Sequence, residues 1–536
     1  EQAKFLQENI TDAVIEKAFQ NIPSEVRDAI IDDIQLKLKG RRANLKDIAN
    51  RYYIYLNELV VLAGTDNADY FEITRLDKGL TQVKISRLSD GDISAPFIDQ
   101  IYDSKVTKEL WIYGLNGDDQ FVVNGKGNDL IFTRVIGGQG KDLYDIQNGK
   151  KIKIYDHKSK EKTILARNGA NLKFTDVYNL NVYNFEKTRT KTTTITPGLG
   201  FNPDDGVQLG AKADYMVNGY QRNPFSQRHT LNAQYAFDTN GLKLDYEAEF
   251  ANIFLDWNLN VGGLFTSPSY SNNFFGYGNE SVSYGANYNF NRVKKSIYSG
   301  HVGIVKRSAF GSDYGFKALL ESVKLSNSPE RFISDFQPAS NAEYYERHYF
   351  GGLEAAYDYL SADNIMNPTR GMTFKLNIGA KTNLQDVDAA FGYINSNLGF
   401  YNALTKDKTL VLKTDVRAQF RFGNDYLFYQ AANIGGESGL RGYRSERFTG
   451  RNAMVASADV RYSFPSLTTR LLPLQISVFG GGDLGRVWQK GDFSNKWHND
   501  YGGGLRISAA QSLSATFNLF NGEDGARFSF GLGYNF

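Results

Sequence analysis

The sequence contains no cysteine. That excludes disulfides, thiolate metal sites and cysteine nucleophiles. Its five histidines, His157, His229, His301, His348 and His498, are scattered along 536 residues. They form no Asp, Asn and His cluster of the kind that holds two catalytic metals. No nucleophile–base pair stands out either, so no enzymatic activity is expected from these residues. Net charge is only +2, with no long lysine or arginine block, so nucleic acid is not an expected partner. Proline is scarce, at 11 residues. No apolar run approaches about 18 residues, which excludes a transmembrane helix. Mean hydropathy is −0.43. A water-soluble protein has such a value, but so do strands that alternate lipid-facing and lumen-facing residues.

What is abundant points to such strands. Aromatic residues make up 14% of the chain, and glycine numbers 52. Phe528, Phe530, Leu532, Tyr534 and Phe536 share one face, opposed by Arg527, Ser529, Gly531, Gly533 and Asn535. Leu513, Ala515, Phe517 and Leu519 alternate with Ser512, Ser514, Thr516 and Asn518. Leu242, Leu244, Tyr246, Ala248 and Phe250 oppose Lys243, Asp245, Glu247 and Glu249. Strands of soluble sandwiches run about 5–6 residues. These stretches run roughly 9–13, enough to cross a bilayer at a tilt.

In hydrocarbon every peptide group needs an internal partner, so such a sheet must close on itself. The charged face with Lys413, Asp415, Arg417 and Arg421 then belongs to a hydrated lumen. About seventeen alternating stretches follow residue 192, and single-chain bacterial barrels have even strand numbers. The Tyr/Asn-rich segment 281–291 is assigned to a loop, leaving sixteen. The predicted fold is mainly β, a 16-stranded antiparallel transmembrane β-barrel over 191–536. A helical segment, 1–58, and a glycine-cornered β domain, 59–190, precede it. Long connections near 267–290, 329–347 and 423–452 are expected outside the cell. Short ones at 202–205 and 238–241 are expected as periplasmic turns.

Residues 10–57 carry a helical period. Val26, Ile30, Ile34 and Leu38 recur every fourth residue, and Leu45, Ile48, Tyr52 and Leu56 follow at helical spacing. Pro23 and Gly40 are expected interruptions of a small packing unit. Beyond Leu59 a loose repeat appears. It starts at Gly64-Thr65-Asp66-Asn67-Ala68-Asp69-Tyr70-Phe71, returns at Gly114-Leu115-Asn116-Gly117-Asp118-Asp119-Gln120-Phe121, and continues at Gly125-Lys126-Gly127-Asn128-Asp129-Leu130. Its last copy, Gly137-Gly138-Gln139-Gly140-Lys141-Asp142, is similar to one turn of the calcium-binding nonapeptide roll. Asp118, Asp129 and Asp142 are therefore the candidates for calcium. The irregular spacing favours instead a short solenoid or sandwich whose Asp residues cap turns, with no cofactor.

The ends of the barrel carry a second signal. The first strand, near 192–201, contains Pro197, which cannot donate to a ladder. The last strand contains Gly531 and Gly533 and runs to Phe536. A closed barrel must pair these two strands, so a weakly bonded seam is expected.

Three segments resemble the BamA/TamA-type outer-membrane assembly barrels, the bacterial surface antigen superfamily. Gly435-Gly436-Glu437-Ser438-Gly439-Leu440-Arg441-Gly442-Tyr443 looks like the signature of that family's long sixth extracellular loop. Phe479-Gly480-Gly481-Gly482-Asp483-Leu484-Gly485 resembles its Phe-x-Asp-x-Gly strand, with two extra glycines. Asn273-Phe274-Phe275-Gly276-Tyr277-Gly278-Asn279-Glu280 is similar to a third family segment. The residues themselves suggest a lock. Asp459 and Asp483 point inward from successive strands and need a cation, which Arg441 supplies as a planar fork. Gly442 lets the loop approach the wall. The lock motif is then Arg441, Gly442, Tyr443, Asp459, Asp483 and Gly485. Asp459 departs from the family, which carries Glu there. Arg444, Arg447 and Arg451 make the loop basic, so a lipid headgroup contact is a further expectation.

The resemblance implies a bacterial outer-membrane protein with its N-terminal domain in the periplasm. Implied partners are outer-membrane lipid and lipopolysaccharide, with client or accessory membrane proteins. The implied function is insertion or translocation of proteins through the seam, acting as a lateral gate. The first 190 residues also resemble the linker of Bacteroidetes-type proteins that join a calcineurin-like metallophosphoesterase to such a barrel. No POTRA-like repeat is evident. The alternative is therefore a barrel that anchors and orients a periplasmic metallophosphoesterase domain or partner.

Overall fold

In the computed structural model the chain divides into two compact units, Glu1–Lys187 and Thr188–Phe536. The structure describes residues 1–23, 25, 28–283, 287–337, 341–365, 367–423, 425–469, 472–509 and 513–533.

The first unit opens with four helices, α1 (Gln2–Asn9), α2 (Asp12–Gln20), α3 (Ala29–Ala43) and α4 (Leu45–Asn57). Thr11 caps α2 by accepting from the Val14 N–H, and Asp28 caps α3 by accepting from Ile30 and Ile31. Helix thus begins well before residue 10. Gly40 does not interrupt: it lies inside α3, and the break falls at Asn44. A single interior glycine costs only about 1 kcal/mol. Val26 lies outside the described residues. The expected packing unit is corrected. Ile30, Ile34 and Leu38 are exposed, and Ile15 is the one buried apolar residue among the described residues of these helices. Periodicity defines an apolar face but does not supply a surface to cover it.

The rest of this unit is a β-solenoid. The chain passes back and forth between two sheets. One stacks Leu59–Ala63, Glu109–Leu115, Phe132–Gly138, Ile152–Asp156 and Asn171–Phe174 in parallel. The other stacks Asp69–Arg75, Gln120–Gly125, Asp142–Ile146 and Lys162–Ala166 in parallel, with Leu80–Ser89 and Ile98–Asp103 added antiparallel at one side. The loose repeat of the sequence is the repeat of the coil. Asp69 N–H donates to Asp119 Oδ1 at 2.8 Å, and Asp119 N–H to Asp142 Oδ1 at 3.1 Å. Two residues on, the rings of Phe71, Phe121 and Tyr144 stack at 4.5 and 5.4 Å. A Cβ on Gly137 would lie 2.2 Å from the Asp142 carboxylate and from the Tyr144 hydroxyl, so glycine leaves both side chains their place at that corner.

The three calcium candidates are spread over different turns. Asp142 faces the buried stack, Asp118 accepts from the Lys141 N–H at 2.8 Å, and Asp129 is a left-handed turn residue. Among the described residues no three metal-ligating side chains converge. Burial, with repulsion from neighbouring carboxylates, pushes Asp119 up to about 9 and Asp142 up to about 7. Groups raised on folding stabilise fully below the ordinary carboxylate range and lose that contribution as pH rises through the raised values. The solenoid should therefore melt several degrees lower at pH 9 than at pH 6. Asp119→Asn should flatten that decline, as Trp111 fluorescence against temperature would report. A decline unchanged in the variant would contradict this.

The second unit is a closed antiparallel barrel of sixteen strands, from Thr190–Asn202 to Gly525–Gly533. A three-residue strand, Ser271–Asn273, pairs alongside the sixth strand, Arg292–Lys306, and the described residues of 281–291 are not strand. Alternation does what the lipid requires. Leu231, Val302, Leu320, Leu353, Val460 and Leu519 are exposed on the outside. Inside, cross-strand pairs join Lys317 to Glu354 and Lys381 to Glu321, each at 3.0 Å.

Strand parity corrects the placement of two turns. The three longest connections, 267–291, 326–346 and 423–451, all lie at one end, which is therefore extracellular. The turns at 203–205 and 237–240 lie at that same end, because the first strand starts at the opposite one. They are short extracellular turns, and shortness alone had suggested the periplasm.

Candidate functional site

The sixth extracellular loop, 423–451, folds back against the barrel wall. Arg441 lies between the twelfth strand, Asn452–Ser463, and the thirteenth, Leu474–Trp488. Its Nη2 and Nη1 donate to Asp459 at 2.7 and 3.1 Å. Its Nη2 and Nε donate to Asp483 at 2.7 and 2.9 Å, and its backbone N–H donates to Asp483 at 2.9 Å. The guanidinium also sits 3.9 Å over the Phe520 ring. The shorter Asp459 arm is sufficient because its strand neighbour opposite is Gly481. A Cβ there would lie 2.1 Å from the Asp459 carboxylate, which accounts for one of the two extra glycines.

The other motif residues supply space and packing. A Cβ on Gly442 would meet Asp500 and the backbone of Gly522, each at 2.7 Å. One on Gly485 would meet Val455 at 2.9 Å, and Ile434 and Leu440 of the loop at 3.2 Å. Tyr443 is fully buried; its hydroxyl donates to the Asn499 carbonyl at 3.1 Å. Sequence reasoning missed Asp500, which accepts the Gly442 N–H at 2.8 Å. The signal was available. Asp500 is directly opposite Asp483 in the ladder, and the outward Tyr501 beside it fixes the alternation.

The basic residues of the loop face inward. Arg444 and Arg447 are buried, and their guanidiniums lie over the Phe275 ring at 5.1 and 4.8 Å. Arg451 donates to the Arg421 carbonyl at 3.0 Å. The expected headgroup contact is thereby corrected: these charges have protein partners. The segment from Asn273 to Glu280 caps the same region, with Asn279 bonded to both the N–H and the carbonyl of Val487 at 3.0 and 2.8 Å.

Among the described residues, the first and last strands meet over three residue pairs, Leu199 with Leu532, Gly200 with Gly531 and Phe201 with Phe530. The first and second strands share thirteen, and the last two share nine. Next to these pairs, Gly533 comes against Pro197. Gly533 has φ +97°, and a Cβ on it would lie 2.2 Å from the Pro197 carbonyl. Phe536 lies outside the described residues. Among the described residues, the edge 190–198 that faces the last strand has no ladder partner there, and most of it is exposed. A lumenal cavity of about 550 Å³ joins the two features, with Arg441 and Asp483 on one side and Gly200, Phe530 and Gly531 on the other.

These features define a membrane barrel with an inward-folded, arginine-locked loop beside an incomplete seam. Residues 166–536 match the Omp85 superfamily domain, and the chain belongs to that superfamily. It is a protein of the bacterial outer membrane. Solved structures similar to it include BamA from Haemophilus ducreyi lacking POTRA domains 1–3, at 16% identity over 64% of this chain and 71% of that one, with a TM-score of 0.47. CdiB from Escherichia coli is similar at 9% identity over 66% and 69%, with a TM-score of 0.43. CdiB from Acinetobacter baumannii is similar at 11% identity over 66% of each chain, with a TM-score of 0.42. No curated protein sequence matches the chain.

Proposed function

We propose that this protein inserts or translocates other proteins at the outer membrane, with the seam as a lateral gate. The observation that carries this reading is the junction between first and last strands, three pairs among the described residues. A net contribution of about 1 kcal/mol per hydrogen bond makes so short a junction cheap to part. The edge at 190–198 presents peptide groups toward it, and an unpaired edge is a template for strand addition. An extended client strand would pair along this edge from the periplasmic side. The chemistry is noncovalent throughout: hydrogen-bond exchange, with the locked loop holding the lumen in shape. Clients and accessory membrane proteins are the partners of this reading.

A second reading has one observation in its favour. The exposed apolar faces of α3 and α4, with Ile30, Ile34, Tyr52 and Tyr55, suit docking of a periplasmic domain or partner such as a metallophosphoesterase. The barrel would then anchor and orient that partner. One experiment separates the two. Leu199→Cys with Leu532→Cys places cysteines on register partners in a chain that has no other. Under the gate reading, oxidation abolishes assembly of surface proteins in cells relying on this chain, and reductant restores it. Full function in the oxidised state would transfer the case to the anchor.

A further inference from the structure

The extracellular end of the seam is built differently from the rest. Asp204 lies in the first extracellular turn and is 3% exposed. Asn202 holds that turn by accepting the N–H groups of Asp204 and Asp205 at 2.9 and 2.8 Å. The Asp204 carboxylate accepts from Arg444 Nε at 2.7 Å and from the Ser445 N–H at 2.9 Å, both on the sixth loop. It also accepts from Arg527 Nη2 at 2.6 Å, and Arg527 is on the last strand. The ladder pairs Phe201 with Phe530. Continuing that antiparallel register brings Asp204 opposite Arg527, just past the last ladder pair. A side-chain bond therefore replaces a backbone bond where the barrel must close.

The same loop grips the other side of the seam. Arg447 Nε donates to Asp524 Oδ2 at 2.7 Å, in the turn that leads into the last strand. Arg441, Arg444 and Arg447 are spaced by three residues. They reach the wall at Asp459 and Asp483, the turn after the first strand, and the turn before the last strand. One loop thus spans the junction with charge-assisted bonds. Among the described residues, the first strand has no ladder pair with the last strand over 190–198.

We propose that Asp204 is the latch of the seam, a positioning residue that holds its extracellular end shut through Arg527 and Arg444. In the gate of the function proposed above, loss of this latch frees the extracellular end of the seam. The role in gating rests on the function proposed above; the closure of the seam by Asp204 does not.

The test is hydrogen exchange on the full chain in lipid nanodiscs, for Asp204→Asn and Arg527→Gln. Arg527→Gln leaves Asp204 bonded to Arg444, so at least one variant keeps the loop in place. Exchange in the peptides spanning 199–201 and 530–532 should rise about tenfold in each, the effect of one lost charge-assisted bond. The double variant should add little to Asp204→Asn alone, because that change already removes the contact with Arg527. The ladder between Gly371–Asn383 and Asp386–Ala403, on the far side of the barrel, should stay unchanged. Unchanged seam exchange would overturn the latch, and so would equal acceleration in all ladders, which marks a purely structural role. If seam exchange rises while the oxidised Leu199→Cys, Leu532→Cys protein still functions, the latch stands and the gate falls.

Discussion

Replacing Arg441 with alanine is expected to free the sixth loop from the wall at a cost of about 3–5 kcal/mol, the penalty for removing one partner of a buried charge pair. Asp459 and Asp483 would remain, diagonal neighbours on adjacent strands without the cation they now share. Asp500, opposite Asp483, would add a third carboxylate to the same patch. The loop would also lose the stacking of the guanidinium on Phe520. Protease digestion in nanodiscs would check this: cleavage within 435–447 should appear in the variant and be absent from the parent. Arg441→Lys should recover only part of the protection. An ammonium is a point charge and cannot address two carboxylates as a planar fork does. If lysine protects as well as arginine, the lock is a matter of net charge alone.

Gly140→Ala should be the most damaging single-methyl change in the first unit. A Cβ there would lie 1.5 Å from the Gly117 carbonyl oxygen of the neighbouring coil. The obstruction is backbone, so no side-chain rotation relieves it. Overpacking costs about 1–3 kcal/mol where neighbours can move, and this site should reach or pass the upper figure. Melting followed by Trp111, which lies in the stacked sheet, should show the loss, with the barrel's own transition unmoved. Gly169→Ala is the matching control: it has open space around it but φ +88°, so it should cost only the strain of a left-handed residue, about 1 kcal/mol. Equal effects at the two glycines would mean that coil stacking is not what selects Gly140.

Much of the site was legible in the sequence for a simple reason. Period-two alternation fixes which residues share a face, so Asp459 and Asp483 could be assigned to the lumen from their neighbours alone. The glycine and aspartate spacing of the first unit likewise marked turn corners. What the turns did was not legible. Asp142 looked like a metal ligand because its motif has that shape, and its carboxylate accepts the Asp119 N–H of the preceding coil. The turns at 203–205 and 237–240 were assigned to the wrong end because length was used where parity decides. The loop arginines looked free for lipid because their partners, Asp204 and Asp524, are far away in the chain.

The sequence by itself determined that this chain must close into a barrel. Long two-faced strands cannot leave peptide groups unpaired in oil, and that constraint acts on each strand locally. It placed the Arg441 motif and the two inward carboxylates in the same way. Only the tertiary structure decided how Asp204, Arg444 and Arg527 meet, and which apolar helix faces stay uncovered. Those depend on register between segments hundreds of residues apart, and no local period carries that information.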